Sequence, residues 1–183
     1  MPRLHCRGLL ARSIGGAFFF LLFLLEFTSL RAAAQSPYVD NGDGTITDQG
    51  SGLMWEKLSD DGTVHDQDST YSWEGAATDK IARLNNGSGF AGHKDWRLPS
   101  RNELKSIVDP RHQAPAVSPA FNAACTSGCT VTSCSCAVSG YYWSSSTDAD
   151  NSKGAWFVDF KDGSVGSTTK WGLNYVRAVR GQG

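Results

Sequence analysis

The chain lacks any excess of positive charge: its 183 residues include 17 Lys and Arg against 18 Asp and Glu, a formal net charge of −1. Nucleic-acid-binding proteins usually carry a clustered basic excess, so no nucleic-acid partner is expected. The sequence also lacks internal repeats, low-complexity tracts and an apolar run of the roughly 20 residues that a transmembrane helix needs. These absences exclude a repeat array.

The longest apolar run, residues 14–25, lies near the N-terminus and follows three arginines. As a helix this run would span about 18 Å, which is short of the roughly 30 Å of bilayer hydrocarbon. The small residues Ala32-Ala33-Ala34 come after it. This order is typical of a secretory signal peptide, and we predict one over residues 1–34 in preference to a retained membrane anchor.

Loss of residues 1–34 would remove four of the 17 basic residues and one of the 18 acidic residues, leaving 13 against 17. Residues 35–183 are enough for one domain with its own core, and a single domain is predicted there. The predicted location is periplasmic or secreted, without stable membrane insertion once the signal is cleaved.

Cysteines are few, and four of the five lie within one short segment, CTSGCTVTSCSC. Zinc sites usually offer Cys-x2-Cys pairs, whereas the gaps here are three, four and one residues. An oxidising compartment favours disulfides, and a bridge between the two closest cysteines would be strained. We therefore predict no metal site and two disulfides that link Cys125 and Cys129 to Cys134 and Cys136, in either arrangement. The bridges would hold a long aperiodic loop, residues 110–140.

The segment DNGDGTITD, residues 40–48, suggests either a calcium loop or a tight turn. If Gly44 is the glycine at position six of an EF-hand loop, the first and twelfth positions fall on Val39 and Gly50, which carry no carboxylate. Asn-Gly and Asp-Gly pairs tolerate the positive φ of tight turns. A turn followed by a short strand is the prediction.

Periodicity indicates two helices in the first half of the predicted domain. An apolar stripe runs through SWEGAATDKIARLNNG, where Ser72 can cap the helix start. The members of the stripe are Trp73, Ala76, Ala77, Ile81 and Leu84. Ser100 followed by Glu103 has the pattern of a capping box, which predicts a second helix of about nine residues ending before Pro110. A short strand, residues 96–98, precedes this helix.

Most predicted strands come late in the chain. An early hairpin is predicted around the Gly-Ser-Gly at residues 50–52, with Ile46, Leu53 and Trp55 in the core. YYWSSS predicts a later strand, and GAWFVDFKDGSVGS predicts a hairpin that turns at Asp162-Gly163. Its residues on one face are Trp156, Val158 and Phe160. Early helices and late strands favour an α+β fold.

Taken in order, several of these segments resemble one bacterial family of secreted domains. They are DGTITDQGSGLMWEK, FAGHKDWRLPSRNELKSIVD, YYWSSS, AWFVDFKDG and YVRAVRG. They are similar to the family named for the C-terminal domain of the Legionella collagen-like protein and, more distantly, to the formylglycine-generating-enzyme branch of the C-type-lectin-like fold. Over about residues 41–181, the resemblance implies an α+β, C-type-lectin-like domain. Two helices would flank a twisted antiparallel sheet with paired terminal strands.

The resemblance implies extracellular attachment to a glycan, with sulfated polysaccharides as the ligand class, or to a surface protein. The chain lacks the Gly-X-Y stretch that would trimerise a collagen-like adhesin. The expected function is an adhesion-type binding module without a cofactor. The alternatives are a structural subunit of an envelope or fimbrial assembly and an enzyme like the formylglycine-generating enzymes.

No catalytic residue is predicted. The reactive cysteine pair of the formylglycine-generating enzymes is missing from the matching VRAVRG segment. Ser144, Ser145 and Ser146 lie on a predicted strand without a nucleophile elbow. The histidines after the predicted signal are interpreted as surface side chains; they are His65, His93 and His112.

Charged residues in the DWRLP and VRAVRG motifs allow two interpretations. Arg97, Arg177 and Arg180 could bind an anionic ligand, because guanidinium groups make paired hydrogen bonds to anions. Alternatively they pair with carboxylates, namely Asp95, Glu103 or Asp159, and tie the last strand to the helices. The structural interpretation is favoured.

The candidate ligand-binding residues lie on the later strands and loops. Aromatic rings stack on sugar faces, and lysines supply charge beside them. The candidates are Tyr142, Trp143, Lys153, Lys170 and Trp171. Trp143 and Trp171 are expected near the surface, with the alternative that both pack under the disulfide-containing loop.

Overall fold

The computed structural model describes residues 36–182, so the predicted signal at 1–34 lies outside the described residues. The described chain is mixed α/β, with few helices and two sheets. Its strands are β1 (Tyr38–Asp40), β2 (Thr45–Asp48), β3 (Met54–Glu56), β4 (Thr70–Tyr71), β5 (Tyr141–Thr147), β6 (Gly154–Asp159), β7 (Val165–Thr169), β8 (Asn174–Tyr175) and β9 (Val179–Arg180).

The first sheet contains both ends of the described chain, in the order β1-β2-β3-β9, with all pairs antiparallel. Trp55 of β3 is opposite Ile46 on one side and Val179 of β9 on the other. The early hairpin and the closeness of the chain ends are therefore confirmed. β9 pairs with β3 and not with β1, so β1 is left at the sheet edge.

The turn predicted between β1 and β2 is confirmed, and its acidic side chains take part in it. Gly42 and Gly44 have φ values of 77° and 94°, which glycine adopts without strain. Asp43 Oδ1 accepts hydrogen bonds from the backbone N and the Oγ1 of Thr45, at 3.0 and 2.6 Å. Asp40 forms an ion pair with Lys57 at 2.7 Å.

The second sheet has the order β4-β8-β5-β6-β7. β5 and β8 run parallel, with Tyr142 opposite Tyr175, and the other pairs are antiparallel. The expectation of one antiparallel sheet is therefore wrong. Sequence periodicity indicates which residues form strands, but long-range packing decides which strands become neighbours.

The first helix lies where the apolar stripe predicts it, but its middle is a π-helix. Short α-helical turns, Trp73–Gly75 and Ala82–Leu84, flank a π-helical segment, Ala76–Ile81. Because the wider turn changes which side chains face inward, Ala77 is exposed and Lys80 is buried. The predicted place of Ala77 in the buried stripe is wrong. Ser72 caps the start as predicted, accepting a hydrogen bond from Gly75 N at 3.1 Å.

The second helix, Arg101–Ser106, is shorter than the predicted nine residues, but its capping box is confirmed. Ser100 Oγ accepts a hydrogen bond from Glu103 N at 3.2 Å, and Glu103 Oε2 accepts one from Ser100 N at 2.6 Å. The strand predicted at residues 96–98 is reduced to one bridge, between Arg97 and Val179.

Two hydrophobic clusters flank the second sheet. One contains the predicted core residues Ile46, Leu53 and Trp55. The other contains Ile81 and Leu84 of the first helix. β5 lies between them because its alternate residues belong to different clusters.

The disulfides are Cys125–Cys136 and Cys129–Cys134, so the predicted linking of the first two cysteines to the last two is confirmed. The loop is not simply an outer layer, however. Cys134, Cys136 and Phe121 are buried in the first cluster. Arg177 is completely buried and donates hydrogen bonds to the carbonyl oxygens of Phe121 and Cys136, which fastens the loop to the C-terminal segment.

Within residues 36–182, no helix is long and apolar enough to span a membrane.

Candidate functional site

A cleft of about 420 Å³ lies where the open end of the β6–β7 hairpin meets the start of the first helix. We call it the tryptophan cleft. Its lining residues are Ser72, Trp73, Glu74, Ser152, Lys153, Lys170 and Trp171. It brings together three of the five residues predicted to bind ligand: Lys153, Lys170 and Trp171.

Backbone hydrogen bonds make the base of the tryptophan cleft rigid. Lys170 N donates to Lys153 O at 2.9 Å, which extends the β6–β7 ladder by one pair. Lys170 O accepts a hydrogen bond from Trp73 N at 3.0 Å, which joins the hairpin to the helix start. Trp73 is itself held by its indole N–H, which donates to Ser144 O at 2.8 Å.

The ammonium group of Lys170 has a defined position in the cleft. Its Nζ lies 4.3 Å from the centroid of the Trp73 ring, a cation–π contact. The same nitrogen donates to Ser152 O at 3.1 Å and Thr147 Oγ1 at 3.3 Å. The positive charge of Lys170 is therefore fixed at the cleft wall.

Trp171 is the most exposed large hydrophobic residue described, with 78% of its surface accessible. Its backbone lies in a tight turn closed by a hydrogen bond from Gly172 N to Thr169 O, at 3.0 Å. Lys153 is also exposed and lines the same cleft. The prediction that Trp171 lies at the surface is confirmed.

Tyr142 and Trp143 are not in the cleft, and the prediction that Trp143 lies near the surface is wrong. Both residues are completely buried. The Tyr142 ring stacks on Phe160 with centroids 3.9 Å apart, and its hydroxyl accepts a hydrogen bond from Val138 N at 3.0 Å. Burial raises the pKa of Tyr142 to about 12. Trp143 donates its indole N–H to Tyr71 O at 2.8 Å. Both serve as core because β5 is an interior strand between the two clusters.

A second cleft, of about 440 Å³, was not predicted from the sequence. We call it the tyrosine cleft. Its lining residues are Ser139, Gly140, Tyr141, Asp159, Lys161, Leu173, Asn174 and Tyr175. The exposed Tyr141 precedes the buried Tyr142 in YYWSSS. Strand alternation could not have identified it, because it places Tyr141 on the same face of β5 as the buried Trp143.

The sequence analysis also missed a buried ionic cluster around Glu56. Glu56 Oε1 lies 2.7 Å from both Lys80 Nζ and His65 Nδ1, while Oε2 accepts a hydrogen bond from Ala178 N at 3.0 Å. His65 is mostly buried here, so the interpretation of its side chain as a surface one is wrong.

The ionisation of this cluster follows from its contacts. Burial raises the pKa of Glu56, but the charges and hydrogen bonds of Lys80 and His65 outweigh it and lower the pKa to about 2. Burial lowers the pKa of Lys80, and Glu56 offsets only part of that effect because Arg177 and Arg83 repel the ammonium group. The cluster joins the first helix, β3 and the loop that contains His65.

The structural interpretation of two motif arginines is confirmed. Arg97 makes two hydrogen bonds to the carboxylate of Glu103, at 2.7 and 2.8 Å. Arg180 contacts Asp95 at 2.7 Å. The hydrogen bond from Arg97 is the main cause of the lowered pKa of Glu103. Arg177 differs from the prediction, because its guanidinium donates to backbone carbonyls, including Glu56 O at 2.9 Å.

Three aspartates in one loop, Asp60, Asp66 and Asp68, have carboxylate oxygens within 4.8 Å of one another. The carboxylate of Asp66 is already engaged within the loop. Asp66 Oδ2 accepts a hydrogen bond from Gly62 N at 2.6 Å, and Asp66 Oδ1 accepts one from Asp68 N at 2.9 Å. The cysteines are engaged in their disulfides and offer no thiolate ligands.

Comparison with known proteins identifies the family. The family model described as the Lcl C-terminal domain matches residues 44–180, which include every described strand except β1. No curated protein matches the sequence. The chain belongs to the Lcl C-terminal domain family.

Proposed function

We propose that this protein is a secreted, non-catalytic binding module that recognises a glycan through the tryptophan cleft. The observation that carries the proposal is the exposed Trp171 indole, held beside two lysines on a rigid backbone frame. An indole face can stack on the apolar face of a sugar, and ammonium groups attract acidic substituents. Membership of the Lcl C-terminal domain family supports a binding role.

The proposed location outside the cytoplasm is supported by the two disulfides, because cytoplasmic thiols are kept reduced. It is also supported by the leader pattern at residues 1–34. Cell fractionation followed by N-terminal sequencing tests this point. We expect the exported protein to begin near Gln35.

A C-type-lectin-like arrangement is part of the proposal. In that fold, long loops meet the ligand while the sheets hold the chain ends together. The shared sheet of β1, β3 and β9 and the loops beside the tryptophan cleft support this assignment. It is a fold analogy, and the ligand class rests on the side chains of the cleft.

The proposed absence of catalysis is supported by the structural roles of the side chains that could otherwise react. Ser144 is buried and its hydroxyl donates to Trp156 O at 2.8 Å. His65 is bound to Glu56, away from the residues that line either cleft.

A glycan array with the disulfide-bonded protein tests the proposed function. We expect binding to sugars that carry acidic groups, and no effect of a chelator. Trp171→Ala should weaken binding at least tenfold, which corresponds to about 1.4 kcal/mol. Lys153→Ala should weaken glycan binding by a smaller factor. The binding that remains should depend less on salt concentration, because one charge has been removed.

Lys105→Ala is the matched control for Lys153→Ala, since Lys105 is equally exposed but lines neither cleft. Val39→Ala removes an exposed apolar side chain elsewhere and controls for Trp171→Ala. Neither control should change binding. Unaltered binding by the Trp171→Ala protein would contradict the proposed site, and no binding by the wild-type protein would contradict the function.

One observation favours the assembly alternative as a second candidate. β7 is a five-residue edge strand without charged residues or proline, the features that usually protect an edge. In an antiparallel pair, only alternate residues exchange backbone hydrogen bonds with the neighbouring strand. Hydrogen bonds from Lys170 N to Lys153 O and from Asp159 N to Ser164 O show that the even-numbered residues along β7 face β6. The residues whose backbone groups therefore point away from β6 are Val165, Ser167 and Thr169.

Sedimentation velocity over a range of protein concentrations tests the assembly alternative. If β7 recruits a strand from another molecule, oligomers should form and Ser167→Pro should abolish them, because proline removes the central outward N–H. A protein that stays monomeric at all concentrations would contradict self-assembly through β7.

A further inference from the structure

The tyrosine cleft has the side chains of a second sugar subsite. Aromatic surface is provided by Tyr141 and Tyr175, and polar groups by Asp159, Lys161 and Asn174. Small-molecule sites commonly combine aromatic walls with a few polar groups that set orientation. Gly140 lets the Tyr175 ring lie directly against the backbone at the cleft wall, since a Cβ at this position would lie 2.8 Å from that ring.

Tyr141 is a preorganised stacking surface. It is 46% exposed, and its ring stacks on Phe157 with centroids 4.1 Å apart and planes at 25°. Phe157 is confined in turn by Gly166, where an added Cβ would lie 2.6 Å from the Phe157 ring. Because the ring is already ordered, stacking a ligand on it costs little side-chain entropy.

The two clefts share one wall, the loop at residues 170–173. Lys170 and Trp171 line the tryptophan cleft, whereas Leu173 lines the tyrosine cleft. Asn174 follows Lys170 by four positions, so their Cα atoms are at most about 14 Å apart. The loop between them is prominent, because Trp171 is 78% and Leu173 66% exposed.

We infer that the ligand is an extended chain of sugars that crosses this loop and occupies both clefts, with Tyr141 as the stacking surface of the second subsite. This inference rests on the proposed function and specifies its ligand as the interior of a polymer. A single terminal sugar could fill only one cleft. Lysines occur in both clefts, Lys153 and Lys170 in one and Lys161 in the other, so a chain with repeated acidic groups fits the path.

Occupancy of both clefts by one chain has a measurable consequence. Once the first sugars are bound at Trp171, the next ones meet the tyrosine cleft at high effective concentration. Affinity should therefore rise with chain length until both clefts are filled and then level off.

Isothermal titration calorimetry with size-graded oligosaccharides from dextran sulfate tests this inference. Unsulfated isomalto-oligosaccharides of equal length are the control and show how much of the affinity depends on the acidic groups. We expect the dissociation constant to fall at least about tenfold from the disaccharide to the octasaccharide. Tyr141→Ala should bring the octasaccharide close to the disaccharide value and leave the disaccharide unaffected. Tyr141→Phe should behave like the wild-type protein, and Trp171→Ala should weaken binding of every length.

The possible failures can be told apart. Binding that requires Trp171 but does not depend on chain length, or an octasaccharide affinity unchanged by Tyr141→Ala, would overturn the inference and leave the proposed function standing. No binding of any length would contradict the proposed function together with the inference. Circular dichroism melting of each variant separates lost contacts from lost folding.

Discussion

Two tryptophans that the sequence pattern treats alike have opposite surroundings. Trp143 is completely buried and its indole N–H is bonded to Tyr71 O, whereas Trp171 is almost fully exposed. Local composition does not separate them, because YYWSSS and TTKWGLN are both polar around the indole. The difference arises because the second cluster, which includes Ile81 and Leu84 of the first helix, packs on the face of β5 that carries Trp143.

The first prediction concerns this pair. Trp143→Ala should lower the free energy of unfolding by about 3–5 kcal/mol, because it leaves a large cavity and an unpaired Tyr71 carbonyl. Trp171→Ala should change it by less than about 0.5 kcal/mol, as is usual for an exposed side chain. Urea unfolding of both variants measures the difference, and similar losses would contradict the burial assigned to Trp143.

The second prediction concerns the buried pair of Glu56 and Lys80. Lys80→Met should cost about 3–5 kcal/mol, because it leaves the buried carboxylate without its main counter-charge. The double variant Glu56→Gln/Lys80→Met should be more stable than Lys80→Met alone. Arg83→Met, which breaks an exposed ion pair with Asp79 of 3.8 Å, is the control and should cost less than about 0.5 kcal/mol. A double variant less stable than Lys80→Met would contradict this account.

The third prediction concerns acid stability. The pKa of Glu56 falls from its ordinary value of 4.5 to about 2 in the folded protein. The folded state thus holds this proton less tightly than the unfolded state does, so the stabilisation is fully present above pH 4.5 and is lost as the pH falls towards 2. Its size is on the order of 3 kcal/mol.

Urea unfolding as a function of pH measures this contribution. Glu56→Gln should flatten the decline below pH 4.5. Glu74→Gln, at an exposed carboxylate, should leave the decline as it is in the wild-type protein. If the free energy of unfolding falls below pH 4.5 in the Glu56→Gln variant just as it does in the wild-type protein, other carboxylates cause that loss of stability.

Among the elements, helix starts and turns were predicted more accurately than helix interiors. The capping box of Ser100 and Glu103 and the Asn-Gly-Asp-Gly turn are confirmed, because their interactions span only a few residues. The π-helical segment of the first helix was not predicted. Its turn places Lys80 inside, against Glu56, which lies 24 residues earlier in the chain. A periodic pattern treats every turn as regular and so assigns Ala77 to the buried face.

The fourth prediction concerns the two disulfides. On the chain-entropy estimate, a bridge over 11 residues contributes about 3 kcal/mol and one over five residues about 2 kcal/mol. Replacing Cys125 and Cys136 by alanine should therefore cost more than replacing the other pair, because each variant also removes one buried core cysteine, Cys136 or Cys134, and the loop length remains as the difference. The Cys129→Ala/Cys134→Ala variant is the comparison. Thermal melting measures both, and an equal loss would contradict the larger role of the first bridge.

At the scale of the whole molecule, one buried arginine connects distant parts of the chain. Arg177 donates hydrogen bonds to carbonyl oxygens of Glu56 in β3, Phe121 in the 3₁₀ turn and Cys136 in the disulfide-containing loop. These residues are separated by 41 to 121 positions from Arg177 in sequence. The first sheet and the loop therefore depend on the same side chain.

The fifth prediction follows from this connection. Arg177→Met should cost at least about 3 kcal/mol, because three carbonyl oxygens lose their donor. Hydrogen exchange should show protection lost together in β3, β9 and residues 121–136, and not at the arginine alone. Arg177→Lys, which keeps the charge but not the branched donor group, should give an intermediate loss. Loss confined to one of these segments would contradict the connecting role.

Features that short-range chemistry controls could be predicted from the sequence. These are the turn before β2, both helix starts and the set of cysteines that pair. The tertiary structure was needed for the strand pairing, the burial of Tyr142 and Trp143 in contrast to the exposure of Trp171, the ionic cluster around Glu56, and the placement of two clefts on either side of residues 170–173. The physical reason is that burial and strand pairing depend on residues far apart in the chain, whose approach no local pattern encodes.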